Sequence, residues 1–242
     1  MAGIPAKKMR SIRAIIFDLD DTLVESTVNY AKFKTLVIER ITSHGGPKEL
    51  YDPHETIVTI IARYEERMRG AGIPEATIRN RLAELDTIMD EVELERVSET
   101  KPMRGAVGLL KLLRKNGVKV GILTRGCEEY TKSALARTGM LDLVDGIECR
   151  NANTKPKPDP EAYLKLAHRL GVKKEETLFV GDHLIDAQCA ANAGVPFVAV
   201  ETGDVPEEDL RKAGCIELFH DVGDMATWLE PIERCHHVSP PP

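Results

Sequence analysis

From residue 104 onward the chain repeats one pattern: an apolar stripe at helical spacing, a glycine, then a short unbroken apolar run. In "RGAVGLLKLLRKNG" the residues Ala106, Leu109, Leu110 and Leu113 fall on one helical face, the stretch stops at Gly117, and "VKVGILT" then reads as a buried strand. The unit returns as "EEYTKSALARTG" ending at Gly139, as "PEAYLKLAHRLG" ending at Gly171 before "ETLFVGD", and as "IDAQCAANAG" ending at Gly194 before "VPFVAV". A glycine at each helix end supplies the left-handed residue that turns the chain back into a sheet. Helices alternating with short apolar strands predict an α/β fold, a Rossmann-like parallel sheet core with helices on both faces. "AIIFD" reads as one more such strand, first in the chain.

Between residues 26 and 100 the rhythm breaks. Phe33, Leu36, Val37 and Ile41 share a helical stripe; so do Ile57, Ile60, Ile61, Tyr64 and Met68, and, after Pro74, Ile78, Leu82, Leu85, Met89 and Val92. No strand pattern separates them. An all-helical insert over 26–100 is therefore expected, with 1–25 and 101–232 forming the sheet domain and Pro102 marking the return. The acidic residues Glu84, Asp86, Asp90, Glu91, Glu93 and Glu95 are expected to form a solvated face. The Pro-rich end, 233–242, reads as a flexible tail, and Cys235, His236 and His237 within it as a frayed terminus rather than a metal site.

Composition narrows the partners. A chain of 242 residues with 42% hydrophobic and 30% charged residues can bury a sizeable core, and a formal charge of −6 gives no electrostatic reason to bind a nucleic acid polymer or an anionic membrane. Five scattered cysteines without CxxC spacing point to a reducing compartment. The N-terminal stretch holds no apolar run of signal-peptide length and no segment approaches a membrane span, so the cytoplasm is the expected location. A monomer or a homodimer is equally compatible with the sequence.

"IIFDLDDTL", residues 15–23, then poses a problem of charge: Asp18, Asp20 and Asp21 follow an apolar strand within four positions and repel one another unless a cation or partner offsets them. In an open parallel sheet, polar groups gather at the carboxyl edge of the strands. Four segments reach that edge: "DLDDT", "ILTRG", "TKPKPDP" and "FVGDHLID". They bring Asp18, Asp20, Thr124, Lys157, Asp182 and Asp186 into one set. Asp18 and Asp182, from separate strands, suit a hard divalent cation such as Mg2+, which takes oxygen ligands and keeps room for a phosphate oxygen. A nearby lysine lets the carboxylates stay ionised beside an anionic phosphoryl group.

In order and in strand context these segments resemble the motifs of the haloacid dehalogenase superfamily, over residues 12 to about 200. Asp18, Asp20 and Thr22 match its first motif, Thr124 its second, Lys157 its third, Asp182 and Asp186 its fourth, and the insert after the first strand resembles a C1-type helical cap. The resemblance implies a magnesium-dependent phosphatase acting on a small phosphorylated metabolite. Asp18 would be the nucleophile that forms an aspartyl phosphate, and Asp20 the general acid and base. Thr124 would bind a phosphoryl oxygen and Lys157 would pair with the nucleophile and the developing charge. Asp18, the Asp20 carbonyl and Asp182 would hold the metal, with Asp186 supporting them from behind. An acid at position 20 separates the phosphatases from the dehalogenases of this fold, whose leaving group needs no proton.

Smaller choices remain within this reading. Lys155 fits the lysine-proline pattern as well, and Lys157 is preferred because the acidic residue and Tyr163 that follow it match the family's helix start. Arg125 stands where many relatives carry asparagine and is a candidate for a second anionic group of the substrate, or a surface arginine. His183, where many carry serine, reads as a supporting or solvent-facing residue, and Asp21 as a turn former. Lys48 in "SHGGPKEL" and Arg69 in "MRGAGIPE" are candidate substrate contacts or ordinary exposed charges. A sugar phosphomutase of the same fold and a non-catalytic phospholigand-binding module are the alternatives.

Overall fold

A computed structural model describes residues 11–229. The tail reading, with Cys235, His236 and His237, lies outside the described residues. The chain divides into two compact units, one of residues 1–26 with 100–242 and the other of residues 27–99.

The first unit is built on a six-stranded parallel sheet. Its strands are β1 (Ala14–Phe17), β4 (Lys119–Leu123), β5 (Gly146–Glu148), β6 (Thr177–Gly181), β7 (Phe197–Val200) and β8 (Glu217–Phe219), in the order β5-β4-β1-β6-β7-β8. The short pair β2 (Val24–Glu25) and β3 (Lys101–Pro102) runs antiparallel where the chain leaves this unit and returns, so Pro102 sits in a strand rather than a loop. Helices α4 (Ala106–Lys115), α5 (Glu128–Arg137), α6 (Glu161–Arg169), α7 (Leu184–Ala193), α8 (Glu207–Lys212) and α9 (Met225–Trp228) connect and flank the strands.

Strand β1 is wholly buried because it lies inside the sheet and both its faces are covered. Ile16 joins Phe179, Tyr163, Leu166, Ala187, Ala190 and Phe197 in one cluster beneath α6 and α7. Ile15 and Phe17, one residue to either side, point to the opposite face, where α4 packs on β4. Each such fully buried large side chain contributes about 1.5–3 kcal/mol. The chain order reverses beside β1, and in open sheets that reversal opens a crevice at the carboxyl ends of the strands.

The second unit consists of α1 (Tyr30–Ser43), α2 (Ile57–Gly70) and α3 (Glu75–Leu94), with short 3-10 turns at Lys48–Leu50 and Val97–Glu99. Asn29 and Thr56 cap α1 and α2 by accepting from Lys32 and Thr59 backbone N–H groups. The three apolar stripes meet in a separate core around Phe33, Val37, Ile60, Tyr64, Leu85 and Met89. Of the acidic stretch on α3, Glu84 binds Arg40 at 2.7 Å and His44 at 3.2 Å, but Glu93 is only 4% exposed, not solvated as its charge suggests. It stands four residues after Met89 and next to Val92, on the buried stripe. No helix among the described residues is long and apolar enough to cross a membrane.

Candidate active site

Strand register brings the carboxylates together. Phe17 pairs with Ile122 of β4 on one side and with Val180 of β6 on the other, and the Asp18 N–H donates to the Val180 carbonyl at 2.9 Å. Asp18 and Asp182 therefore leave neighbouring strands at the same edge. Lys157 arrives from the loop before α6: its Nζ donates to Asp18 Oδ1 at 2.5 Å and to Asp186 Oδ1 at 2.7 Å, and the residue is 3% exposed. Lys155 points elsewhere, 3.9 Å from Asp159 with its side chain 73% exposed.

Between Asp18 and β2 the chain makes one tight turn. The Leu19 carbonyl accepts from Leu23 at 2.9 Å and from Val24 at 3.1 Å, and Asp21 adopts the left-handed conformation, φ 54°, with its Oδ1 accepting from the Ser26 N–H at 3.0 Å. Asp and Asn tolerate that conformation better than other non-glycine residues, so Asp21 forms the turn. Thr202 donates its hydroxyl to the Asp21 carbonyl. The turn places Thr22 so that its Oγ1 donates to Asp182 Oδ1 at 2.9 Å.

At the end of β4, Thr124 is buried and its Oγ1 accepts from the Gly126 N–H at 3.0 Å, which leaves the hydroxyl proton for an incoming acceptor. Asp186, in the first turn of α7, accepts from the His183 N–H at 3.2 Å, while His183 Nδ1 accepts from the Ile185 N–H at 3.1 Å. His183 is thus a helix cap. Asp20 accepts a hydrogen bond from the Tyr130 hydroxyl. Arg125 follows Thr124, and its carbonyl accepts from Arg150 Nη1 at 2.9 Å. Lys48 and Arg69 belong to the helical unit: Lys48 opens its first 3-10 turn, and Arg69 is engaged by Glu65 at 2.7 Å and Glu75 at 3.4 Å.

The electrostatics follow from burial. One oxygen each from Asp18, Asp182 and Asp186 lies within 4.8 Å of the others, and the Lys157 ammonium binds two of the three. Burial pushes the Asp18 carboxyl up to about 6, against the pull of Lys157. Burial, reinforced by Asp18 and Asp186, pushes Asp182 up to about 8. Asp20 rises to about 7, again by burial, although the Tyr130 hydrogen bond works the other way. Burial works against the Lys157 ammonium too, but Asp18 and Asp186 outweigh it and hold the lysine above its ordinary range. A compact, anionic, all-oxygen donor set of this kind fits a hard divalent cation and not a thiophilic one.

The family model described as haloacid dehalogenase-like hydrolase matches residues 15–200. The chain belongs to this family. As a haloacid dehalogenase-like hydrolase it is similar to the phosphoglycolate phosphatase of Rhodospirillum rubrum, 26% identical over 90% of each chain. It is also similar to the glyceraldehyde 3-phosphate phosphatase of Pyrococcus furiosus, 26% identical over 93% of this chain and 95% of that one. A hydrolase from Pseudomonas syringae has the same fold, with a TM-score of 0.63 at 22% identity over 91% of this chain and 99% of that one. The chain is a phosphoric monoester hydrolase.

Three residues of this haloacid dehalogenase-like hydrolase escaped the sequence reading. Tyr130 and Gly203 meet Asp20 and Asp182 only through space, from a helix and a loop with no motif of their own. Glu148, 1% exposed at the end of β5, accepts from Thr154 at 2.8 Å and binds Arg169 at 2.7 Å and Lys165 at 3.2 Å. It ties the loop that leads to Lys157 onto β5 and α6. Nothing in the mixed stretch "VDGIECR" marked it in the sequence.

Proposed function

We propose that the chain is a magnesium-dependent phosphatase that hydrolyses a small phosphate monoester through an aspartyl-phosphate intermediate. The observation that carries this reading is the meeting of Asp18, Asp182 and Asp186 with Lys157 at one edge of the sheet, from segments far apart in sequence. Asp18, the Asp20 carbonyl and Asp182 would hold magnesium, whose chemistry is to neutralise charge on the phosphoryl oxygens and keep the carboxylates ionised.

Asp18 attacks phosphorus, its carboxylate oxygen forming a bond as the ester oxygen departs. Asp20 gives its proton to that leaving oxygen and later removes one from the water that hydrolyses the acyl phosphate. Its raised proton affinity, due to burial, suits a group that must carry a proton near neutral pH. Lys157 holds Asp18 in line and balances the charge of the transferred group, and the free proton of the Thr124 hydroxyl is donated to a phosphoryl oxygen. Asp186 keeps Lys157 in place from its far side. Arg125, next to Thr124, is the core's candidate for a second anionic group, which a phosphorylated carboxylic acid would supply.

The names of the curated relatives favour phosphorylated acids and aldehydes of two or three carbons as substrates. Phosphate release from phosphoglycolate, glyceraldehyde 3-phosphate and a hexose phosphate, measured with magnesium, tests the proposal. Turnover is expected from at least one of them and none from Asp18→Asn, folded as judged by circular dichroism. Wild-type rates from that variant would remove Asp18 from the nucleophile's role, and an isomerised sugar phosphate in place of free phosphate would mark a mutase.

A further inference from the structure

The acid-base carboxylate has a partner that neither the motif nor the metal accounts for. Tyr130 is completely buried, and its hydroxyl donates to Asp20 Oδ1 across 110 positions of sequence. Everything around the ring fixes it. Cys127 caps α5 by accepting from the Tyr130 N–H at 3.4 Å, which sets the first turn of the helix. Gly126 leaves room for the ring, because a Cβ there would sit 2.9 Å from Tyr130 Cδ1. The same glycine donates to Thr124, so Tyr130 and Thr124 hang from one short segment, residues 124–130.

We propose that Tyr130 is the positioning residue of the acid-base step, deciding which oxygen of Asp20 carries the catalytic proton. A phenol with its proton on Asp20 Oδ1 makes that oxygen an acceptor and favours Oδ2 for the carboxyl proton, while a hydrogen bond from the Ser26 side chain also holds this carboxyl. The carboxyl group also loses freedom to rotate. In the transfer step the Asp18 oxygen–phosphorus bond forms, the phosphorus–leaving oxygen bond breaks, and the proton on Oδ2 passes to the leaving oxygen. This inference rests on the reading of Asp20 as the acid.

The test compares kcat/KM for an alkyl ester, phosphoglycolate or glycerol phosphate, with that for p-nitrophenyl phosphate, whose leaving group departs without a proton. With the full chain and magnesium, Tyr130→Phe is expected to lower the alkyl value at least about tenfold further than the aryl value, within the range of general acid catalysis. Gly126→Ala, which pushes on the ring, is expected to bias the ratio the same way. Equal losses on both esters, or no loss on either, would overturn the proposal by reducing Tyr130 to a packing residue. Asp20→Asn separates the two levels: if it lacks the alkyl-selective loss, the acid reading itself fails, and if it alone shows the loss, only the role of Tyr130 does.

Discussion

A methyl group at position 203 has nowhere to go. A Cβ built on Gly203 would lie 2.1 Å from Oδ2 of Asp182, whose other oxygen accepts from Thr22 at 2.9 Å, so an added methyl pushes on a carboxylate already tied on one side. Interiors this closely packed move rather than compress, and the carboxylate would be displaced. Gly203→Ala is therefore expected to raise the magnesium concentration for half-maximal activity about tenfold or more, as loss of supporting contacts does at metal sites. An unchanged magnesium titration would show that Asp182 swings aside freely. At this scale the clustering residues were legible because Asp18, Asp182 and Lys157 put charge where an apolar strand ends or a loop meets the sheet. Gly203 and Tyr130 were not, because their meaning is a distance to a residue elsewhere in the chain.

Helix α4 offers two glycines of opposite character. Gly105, its N-cap, has φ +79°, and an added Cβ would lie 2.3 Å from Gly223 Cα; beside it, Arg104 binds Asp221 at 2.5 Å and Asp224 at 2.6 Å. Gly108 is exposed, one turn on, and a Cβ there meets nothing within 4 Å. Gly105→Ala combines a left-handed alanine with overpacking against backbone and is expected to cost about 3 kcal/mol. Gly108→Ala gains helix propensity and is expected to stabilise by up to about 1 kcal/mol. Chemical denaturation of both variants checks the opposite signs; a neutral or stabilising Gly105→Ala would mean that the α4 start tolerates a side chain, and a destabilising Gly108→Ala would contradict the gain in propensity. The helices themselves were legible, since stripes such as Leu109, Leu110 and Leu113 repeat at 3.6 residues. The three-residue strands β5 and β8 were not: "GIE" and "ELF" are too short and too mixed to show a period of two, and only their pairing with β4 and β7 makes them strands.

Among the described residues one hydrophobic cluster forms around β1 and another among α1, α2 and α3. Only the first carries the acidic cluster with Lys157, so a cation bound there stabilises the unit that holds it. At roughly 100 times its Kd a ligand confined to the folded state adds about 2.7 kcal/mol. For a chain of this size each such kcal/mol raises Tm by about 2–4 °C. Calorimetry with chelator and then with magnesium should show that rise together with the return of turnover; undiminished hydrolysis in excess chelator would contradict a metal-dependent site. The period of the sequence changes near residues 26 and 100, beside the bounds 27–99 of the helical unit.

The place of β1 in the sheet has a consequence for the chain as it is made. Ala14 pairs with Lys119 and with Thr177, so the strand that emerges first waits for both neighbours until most of the polypeptide has been translated. The helical unit is formed by residues 27–99, which emerge before either neighbour of β1. During that interval a sticky, unpaired ribbon ending at Asp18 is left without Lys157 or its second strand, and nascent chains in that state are the ones most exposed to aggregation. The acidic cluster thus comes together only after Asp182 and Asp186, which follow β6 in the chain, have been added.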